Sequence, residues 1–262
     1  MLRSMYSGIS GLKNFQTKLD VIGNNISNVN TYGFKKGRVT FQDTMNQTVS
    51  GASAATTQRG GMNAIQVGLG SSLASIDNID TQGSAQTTNR TLDFSIEGDG
   101  YFIVKNGNAE FYTRAGNFYL DNKGVLVTGE GFKVQGTAGD ITFPTNLVSF
   151  SIGQGGEITG VDENGTQSTI ATIAVAKFSN PAGLTKVGNN TFQESVNSGI
   201  PVTGDADTEG RGKLISGRLE MSNVDLSEEF TEMIVAQRGF QANTRIITTS
   251  DEILQELVNL KR

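Results

Sequence analysis

Near the end of the chain Leu226, Met233, Phe240, Ile247 and Leu254 recur every seven residues, and Ile246, Ile253 and Leu260 form a second row at the same spacing. Only a long α-helix gathers that period onto one face. At the other end Leu2, Met5, Ile9, Leu12, Phe15, Leu19, Ile22, Ile26 and Val29 advance in steps of three and four. Those steps approximate a heptad with one residue dropped, a pattern that locally overwinds a coiled coil. A chain with such a stripe at each end must pair the two stripes, either with each other or with those of further copies.

The helix limits are legible too. Asp225 with Glu228 makes a capping-box-like start; Glu228, Glu229 and Glu232 suit the positive end of the second helix, and Lys261 and Arg262 its negative end. The segment Thr249-Ser250-Asp251-Glu252 resembles a second start signal, but the stripe keeps phase across it, so one helix is expected. In the first helix, DVIGNNISNVNTYGF (20–34) carries Asn24, Asn25, Asn28 and Asn30 amid apolar residues at helical spacing. Asparagine competes with a helix for its own backbone and favours caps and turns, so these residues read as register and turn positions where the helix gives way, with Gly33 as a left-handed terminator. SNVN at 27–30 is echoed by SNVD at 222–225, giving Asn223 and Asp225 the same role for the returning chain. The stripes bury too little to hold a lone helix pair firmly, which favours packing against copies; a simple intramolecular hairpin with its asparagines in water is the alternative.

Between the helices the pattern changes twice. Residues 34–90 lose periodicity and fill with Gly, Ser, Thr, Gln and Asn, as in VSGASAATTQRGG, and read as extended chain and loops. From 91 to 218 the period becomes two, with Leu92-Asp93-Phe94-Ser95-Ile96 alternating, strands expected at 101–105 and 169–178, and GDG, NGN, DNKG, TGEG, GQGG and DENG as turns. The expected fold class is α+β: a mainly-β body inserted between long N- and C-terminal amphipathic helices that pair in a coiled-coil-like manner. The expected divisions are 1–33, 34–90, 91–218 and 219–262.

Composition excludes several functions. Across 262 residues there is no Cys and no His, which removes thiol and imidazole nucleophiles, thiolate or imidazole metal sites and disulfides. A net charge of -5 without a Lys/Arg block argues against nucleic acid. No apolar run reaches the ~18 residues of a membrane span, and the N-terminus has neither an apolar h-region nor a cleavage site, so it reads as no secretory signal. A carboxylate pair drawn from Asp93, Glu97 and Asp99 could in principle serve glycoside hydrolysis. But Asp99 sits in a Gly-Asp-Gly turn, and Asp93 on an alternating strand reads as a solvated face. Neither DNKG nor DENG has the ligand pattern of a calcium loop. Neither catalysis, cofactor nor metal is expected.

Four long stretches, LDVIGNNISNVNTYGFKK, EGDGYFIVKNGNAEFYTRAGNFYLDNKGVLVTGEGFKVQG, KFSNPAGLTKVGNNTFQESVNSG and SNVDLSEEFTEMIVAQRGFQANTRIITTSDEILQELVNL, together resemble the flagellar rod and hook family of axial proteins. The resemblance implies a structural, non-enzymatic subunit whose terminal helices line a narrow channel beneath an outer β layer. It further implies self-assembly into a helical homopolymer, contact with adjoining rod, hook-cap and hook-filament junction proteins, and an extracellular location in the flagellum reached through the flagellar export apparatus without a cleaved signal. The run Phe41 to Met45, TNRTLD at 88–93 and SNVDLSEE are more like hook proteins, while the absence of a further inserted domain between GFKVQG and ITFP argues for the distal rod. The expectation is a short hook protein in which the Gly/Ser-rich segment lets neighbouring subunits slide, with the distal rod as the alternative.

Overall fold

The computed structural model describes residues 2–56, 59–144, 147–163 and 165–260. Leu2 opens the first helix, but its side chain, like Lys261 and Arg262, lies outside the described residues. Helix α1 spans Leu2–Ser27 and helix α2 spans Leu226–Asn259, and a mainly-β body lies between them in the chain. The fold class is α+β. Helix α2 runs unbroken through Thr249 to Glu252, and its 34 residues extend about 51 Å. Helix α1 stops at Ser27, two residues short of the last stripe position, Val29.

Contacts divide the chain into two compact units. The helical unit comprises the described parts of 1–27, 37–77 and 225–262. Within it the helices approach closely because glycines face bulky partners. A Cβ on Gly239 would lie 2.5 Å from the Phe15 ring, and one on Gly11 2.8 Å from the Asn243 amide. Phe15 also meets Phe41 at a centroid distance of 6.3 Å, and Asn14 Nδ2 donates to Ser71 Oγ at 2.8 Å. Where the sequence reads as loops, two strand pairs form: Gly37–Asp43 with Ser71–Asn78, and Asn46–Ser50 antiparallel with Ile65–Gly68. Asn46–Ser50 and Ile65–Gly68 are exposed throughout, and in Gly37–Asp43 and Ser71–Asn78 the half-buried positions do not alternate, so no period of two revealed them.

The β unit comprises 28–36 and 78–224. Its main sheet is antiparallel and ten-stranded, with Tyr101–Asn106 central: that strand pairs with Ala109–Thr113, Lys133–Gly136 and Ala174–Lys177. Phe94, Ile96, Phe102, Phe118, Leu126 and Val134 form a fully buried core, and Tyr101, Tyr112, Phe178 and Phe192 a second one. The tight turns fall where the sequence placed them: in DNKG, Gly124 N donates to Asp121 O at 2.9 Å, and in DENG, Gly165 N donates to Asp162 O at 2.8 Å. The single strand expected at 169–178 is two, Gln167–Thr172 and Ala174–Lys177. Between them Ile173 donates its N–H to Gly156 O and lies fully buried, so the chain leaves one sheet for the other at that residue.

Candidate assembly surfaces

In the helical unit, the side of α2 that its own chain covers is mostly small or polar. Glu229, Met233, Ala236, Gly239, Asn243, Ile247, Ser250 and Leu254 are its buried and half-buried positions. They recur at three and four, as a helix seam must. Larger apolar residues stand outside that seam on two flanks. Leu226, Phe230 and Ile234 form one row at i, i+4 and i+8; Ile246, Ile253, Leu257 and Leu260 follow another, and all are exposed. Among the sequence-derived packing residues, Ile22 is buried, and Met5, Leu12, Phe15, Leu19, Ile26, Val29, Met233, Ile247 and Leu254 are half-buried. Ile9, Leu226 and Phe240 face solvent. The rows read from the sequence are therefore split between the intrachain seam and the open face.

The asparagines divide in the same way. Asn25 is only 2% exposed, and its amide mimics a strand neighbour: Nδ2 donates to Gly37 O at 2.9 Å while Oδ1 accepts from Gly37 N at 3.0 Å. Nδ2 also reaches the buried Glu229 carboxylate at 3.2 Å, joining the end of α1, the strand Gly37–Asp43 and the first turn of α2. Asn24 and Asn30 are exposed. Asp225 caps α2, its Oδ1 accepting from Ser227 N at 2.8 Å and Glu228 N at 3.4 Å.

In the β unit, Asn28 starts a turn in which its carbonyl and side-chain oxygen both accept from Thr31, each at 3.1 Å. Gly33 does not terminate the helix, which has ended six residues earlier. Its φ of +67° passes the chain beneath residues 114 and 115, where a Cβ would lie 2.6 Å from Ala115 N. Asn223 holds two segments together: Oδ1 accepts from Lys36 N at 2.8 Å, and Nδ2 donates to Ile79 O at 2.8 Å and Thr81 Oγ1 at 3.0 Å.

Beside these turns lies a buried charge cluster that sequence reading missed. Glu220, 2% exposed, takes Lys35 Nζ on Oε1 at 2.7 Å and Arg114 Nη1 on Oε2 at 3.3 Å, and Oε1 also accepts from Gly83 N at 3.0 Å. Arg114 Nη2 donates to Gly98 O at 2.7 Å. Burial, with the Arg114 charge adding to it, holds the Lys35 ammonium below the usual lysine range despite Glu220. Burial and then Asp80 push the Tyr101 phenol up, while burial first and Glu110 and Glu194 second push Tyr112 up to about 12. Nothing in Gly-Phe-Lys-Lys distinguishes a buried lysine from a surface one, and its partner lies 185 residues away.

The enzymatic candidates do not converge. Asp93 is not a solvated face: it is buried, and Arg90 Nη1 lies 3.1 Å from its Oδ1. Leu92 to Ile96 is enclosed on both sides, which a period of two cannot convey. Glu97 and Asp99 point to solvent. Among the described residues, no cluster of acidic side chains is arranged to hold a metal, and no helix is long and apolar enough to cross a membrane.

Three family models match: "Flagella basal body rod protein" over residues 5–35, "Flagellar hook protein FlgE/F/G D1 domain" over 95–160, and "Flagellar basal body rod FlgEFG protein C-terminal" over 215–260. The chain is 59% identical over 264 positions to the flagellar basal-body rod protein FlgG of Bacillus subtilis, covering all of both chains. It is 33% identical over 441 positions to the flagellar hook protein FlgE of Borreliella burgdorferi and 39% identical over 271 positions to FlgG of the same organism, again covering all of each chain.

Proposed function

The chain belongs to the flagellar rod and hook family of axial proteins, whose members are structural, and on that premise we propose that it is a subunit of the distal rod. One observation carries this reading over the hook: the relative at 59% identity is a basal-body rod protein that aligns over 264 positions, so the β body has no inserted domain relative to it. Alignment with the hook relative takes 441 positions, which requires a much longer partner. The paired strands within 37–78 also favour a stiff segment over a sliding one.

In this reading α1 and α2 pair in a coiled-coil-like manner within a tube built from many copies, lining its channel, and residues 91–218 form an outer layer. Residues 34–90 link the two. The exposed apolar rows of α2 support this arrangement, because a helix keeps such residues in water only at a cost that a neighbouring subunit relieves. Adjoining rod and hook components cap the polymer, and export proceeds without a cleaved signal. A hook role is the second reading, favoured by residues 41–45 and 88–93 as noted above. Immunogold labelling of purified hook and basal-body complexes with antibody to residues 91–218 separates the two. Gold on the straight rod is expected; gold along the curved external segment overturns the rod assignment in favour of the hook.

A further inference from the structure

The loop at 194–201 combines two properties that rarely coincide. It is firmly held: Ser195 Oγ donates to Gly183 O at 2.5 Å, Ser195 N donates to Ser198 Oγ at 2.9 Å, and Asn180 Nδ2 donates to Asn197 O at 3.1 Å. Ser198 is 1% exposed. Yet this fixed loop presents two branched aliphatic side chains to water, Val196 at 107% and Ile200 at 86% relative exposure. A mobile loop could fold such residues back; this one holds them outward, so little conformational entropy remains to be lost when something covers them.

A hollow lies on the same unit, beside the strand Thr191–Gln193 that runs into this loop. A cavity of about 220 Å³ is lined by Phe34, Phe192, Lys186 and the 188–191 turn. That volume falls below the roughly 300 to 1,000 Å³ of ordinary ligand pockets but suits a single protruding side chain. Its rim carries a cation without a carboxylate: Lys186 Nζ donates to Lys35 O at 2.9 Å and stands 4.8 Å from the Phe34 ring centroid, and no acidic group lies within ion-pair distance of it among the described residues. Burial lowers its pKa. The aliphatic loop, in turn, begins with an exposed carboxylate, Glu194.

We propose that the Val196/Ile200 loop of one subunit docks into the Phe34/Phe192/Lys186 cavity of a second copy of this chain, with Glu194 facing Lys186. An apolar protrusion that fits a pocket elsewhere on the same molecule makes a heterologous contact, which propagates into an open helix rather than closing into a dimer. Charge complementarity selects a second copy over an unrelated apolar partner. The inference rests on the axial-subunit reading above, because it concerns contacts inside that polymer.

The chain has no cysteine, so single-cysteine variants report one contact cleanly. Full-length Ile200→Cys and Lys186→Cys chains, mixed and polymerised, should on oxidation give the mixed disulfide dimer in excess over either homodimer. Unpolymerised mixtures should give only background. In parallel, Val196→Asp with Ile200→Asp should leave the monomer's melting temperature unchanged and raise the critical concentration for polymerisation at least about tenfold. Glu194→Lys should weaken assembly, and Lys186→Glu added to it should restore most of the loss. Polymer that forms normally without the mixed dimer, and tolerates both aspartates, overturns the docking while leaving the axial reading intact. Failure of the wild-type chain to polymerise overturns both.

Discussion

The two units spend their apolar residues differently. The β unit closes on itself around its core: the large side chains of that core are buried, several of its aromatic rings meet edge to face, and its buried Lys35, Arg114 and Glu220 are paired. The helical unit remains open, with glycine, alanine, serine and asparagine interleaved with Met233, Ile247 and Leu254 in the seam, and phenylalanine, isoleucine and leucine exposed on the outer flanks. A domain that must survive alone saturates its core; a segment whose burial comes from neighbouring copies keeps its largest apolar surface for them. Substitutions should therefore act on the isolated subunit in the β unit and on the polymer in the helical unit.

The sharpest effect on the isolated subunit should come from Phe102→Ala. Phe102 is fully buried and meets Phe118 edge to face at 5.1 Å. Truncation should cost about 3 to 5 kcal/mol, read as a lowered urea midpoint with an unchanged slope. A loss below ~1 kcal/mol would mean that the β core is not closed. Glu220→Ala should cost a similar ~3 to 5 kcal/mol, since it leaves Lys35 and Arg114 buried without their shared carboxylate. Adding Lys35→Met to it should recover part of that loss.

Alkali probes the same closure. The Tyr112 phenol is raised to about 12 in the fold, chiefly by burial, against an ordinary value near ~10. A raised acid keeps its full contribution below the unfolded value and loses it as pH rises through the folded one. Stability should therefore hold to about pH 10 and decline toward pH 12; the Tyr101 phenol, also pushed up, adds to that decline, so Tyr112→Phe should make it shallower without abolishing it. An identical decline in the variant would rule out Tyr112 as its source.

What the sequence disclosed and what it withheld follow one physical line. Periodic signals were legible: the continuity of α2, its Asp225 cap, and the hairpin turns at DNKG and DENG all depend on residues a few positions apart. Pairings between distant residues were not. Asn25 and Asn24 are neighbours of identical chemistry, and only the approach of Gly37 makes one a buried clasp and leaves the other exposed. The heptad rows of α2 revealed that it is a helix but not which side its own chain covers, because the covered seam takes Met233, Ile247 and Leu254 from the row and fills the rest with small and polar residues, while Leu226 and Phe240 of the same row stay exposed.

At the boundary of the two behaviours, Asp225→Ala removes the side chain that accepts from Ser227 N and Glu228 N. About 1 kcal/mol should be lost, with amide hydrogen exchange rising in the first turn of α2 and nowhere in the β unit. Exchange spreading into the β core would show that the two units open together rather than separately.

The smallest expected change to the monomer is also the hardest test of the comparison. Phe230 is half exposed on the outer flank of α2, and Gln is a strong helix former, so Phe230→Gln should alter the isolated subunit by no more than about 0.5 kcal/mol. In the polymer the same ring should lie near the centre of a contact, where aromatic anchors carry most of the binding energy. Its removal should raise the critical concentration at least about tenfold, equivalent to ~1.4 kcal/mol per subunit added. If instead the monomer loses stability and the polymer forms as before, the outer rows of α2 belong to the intrachain core, and the open helical unit is a closed one whose partner has been misread.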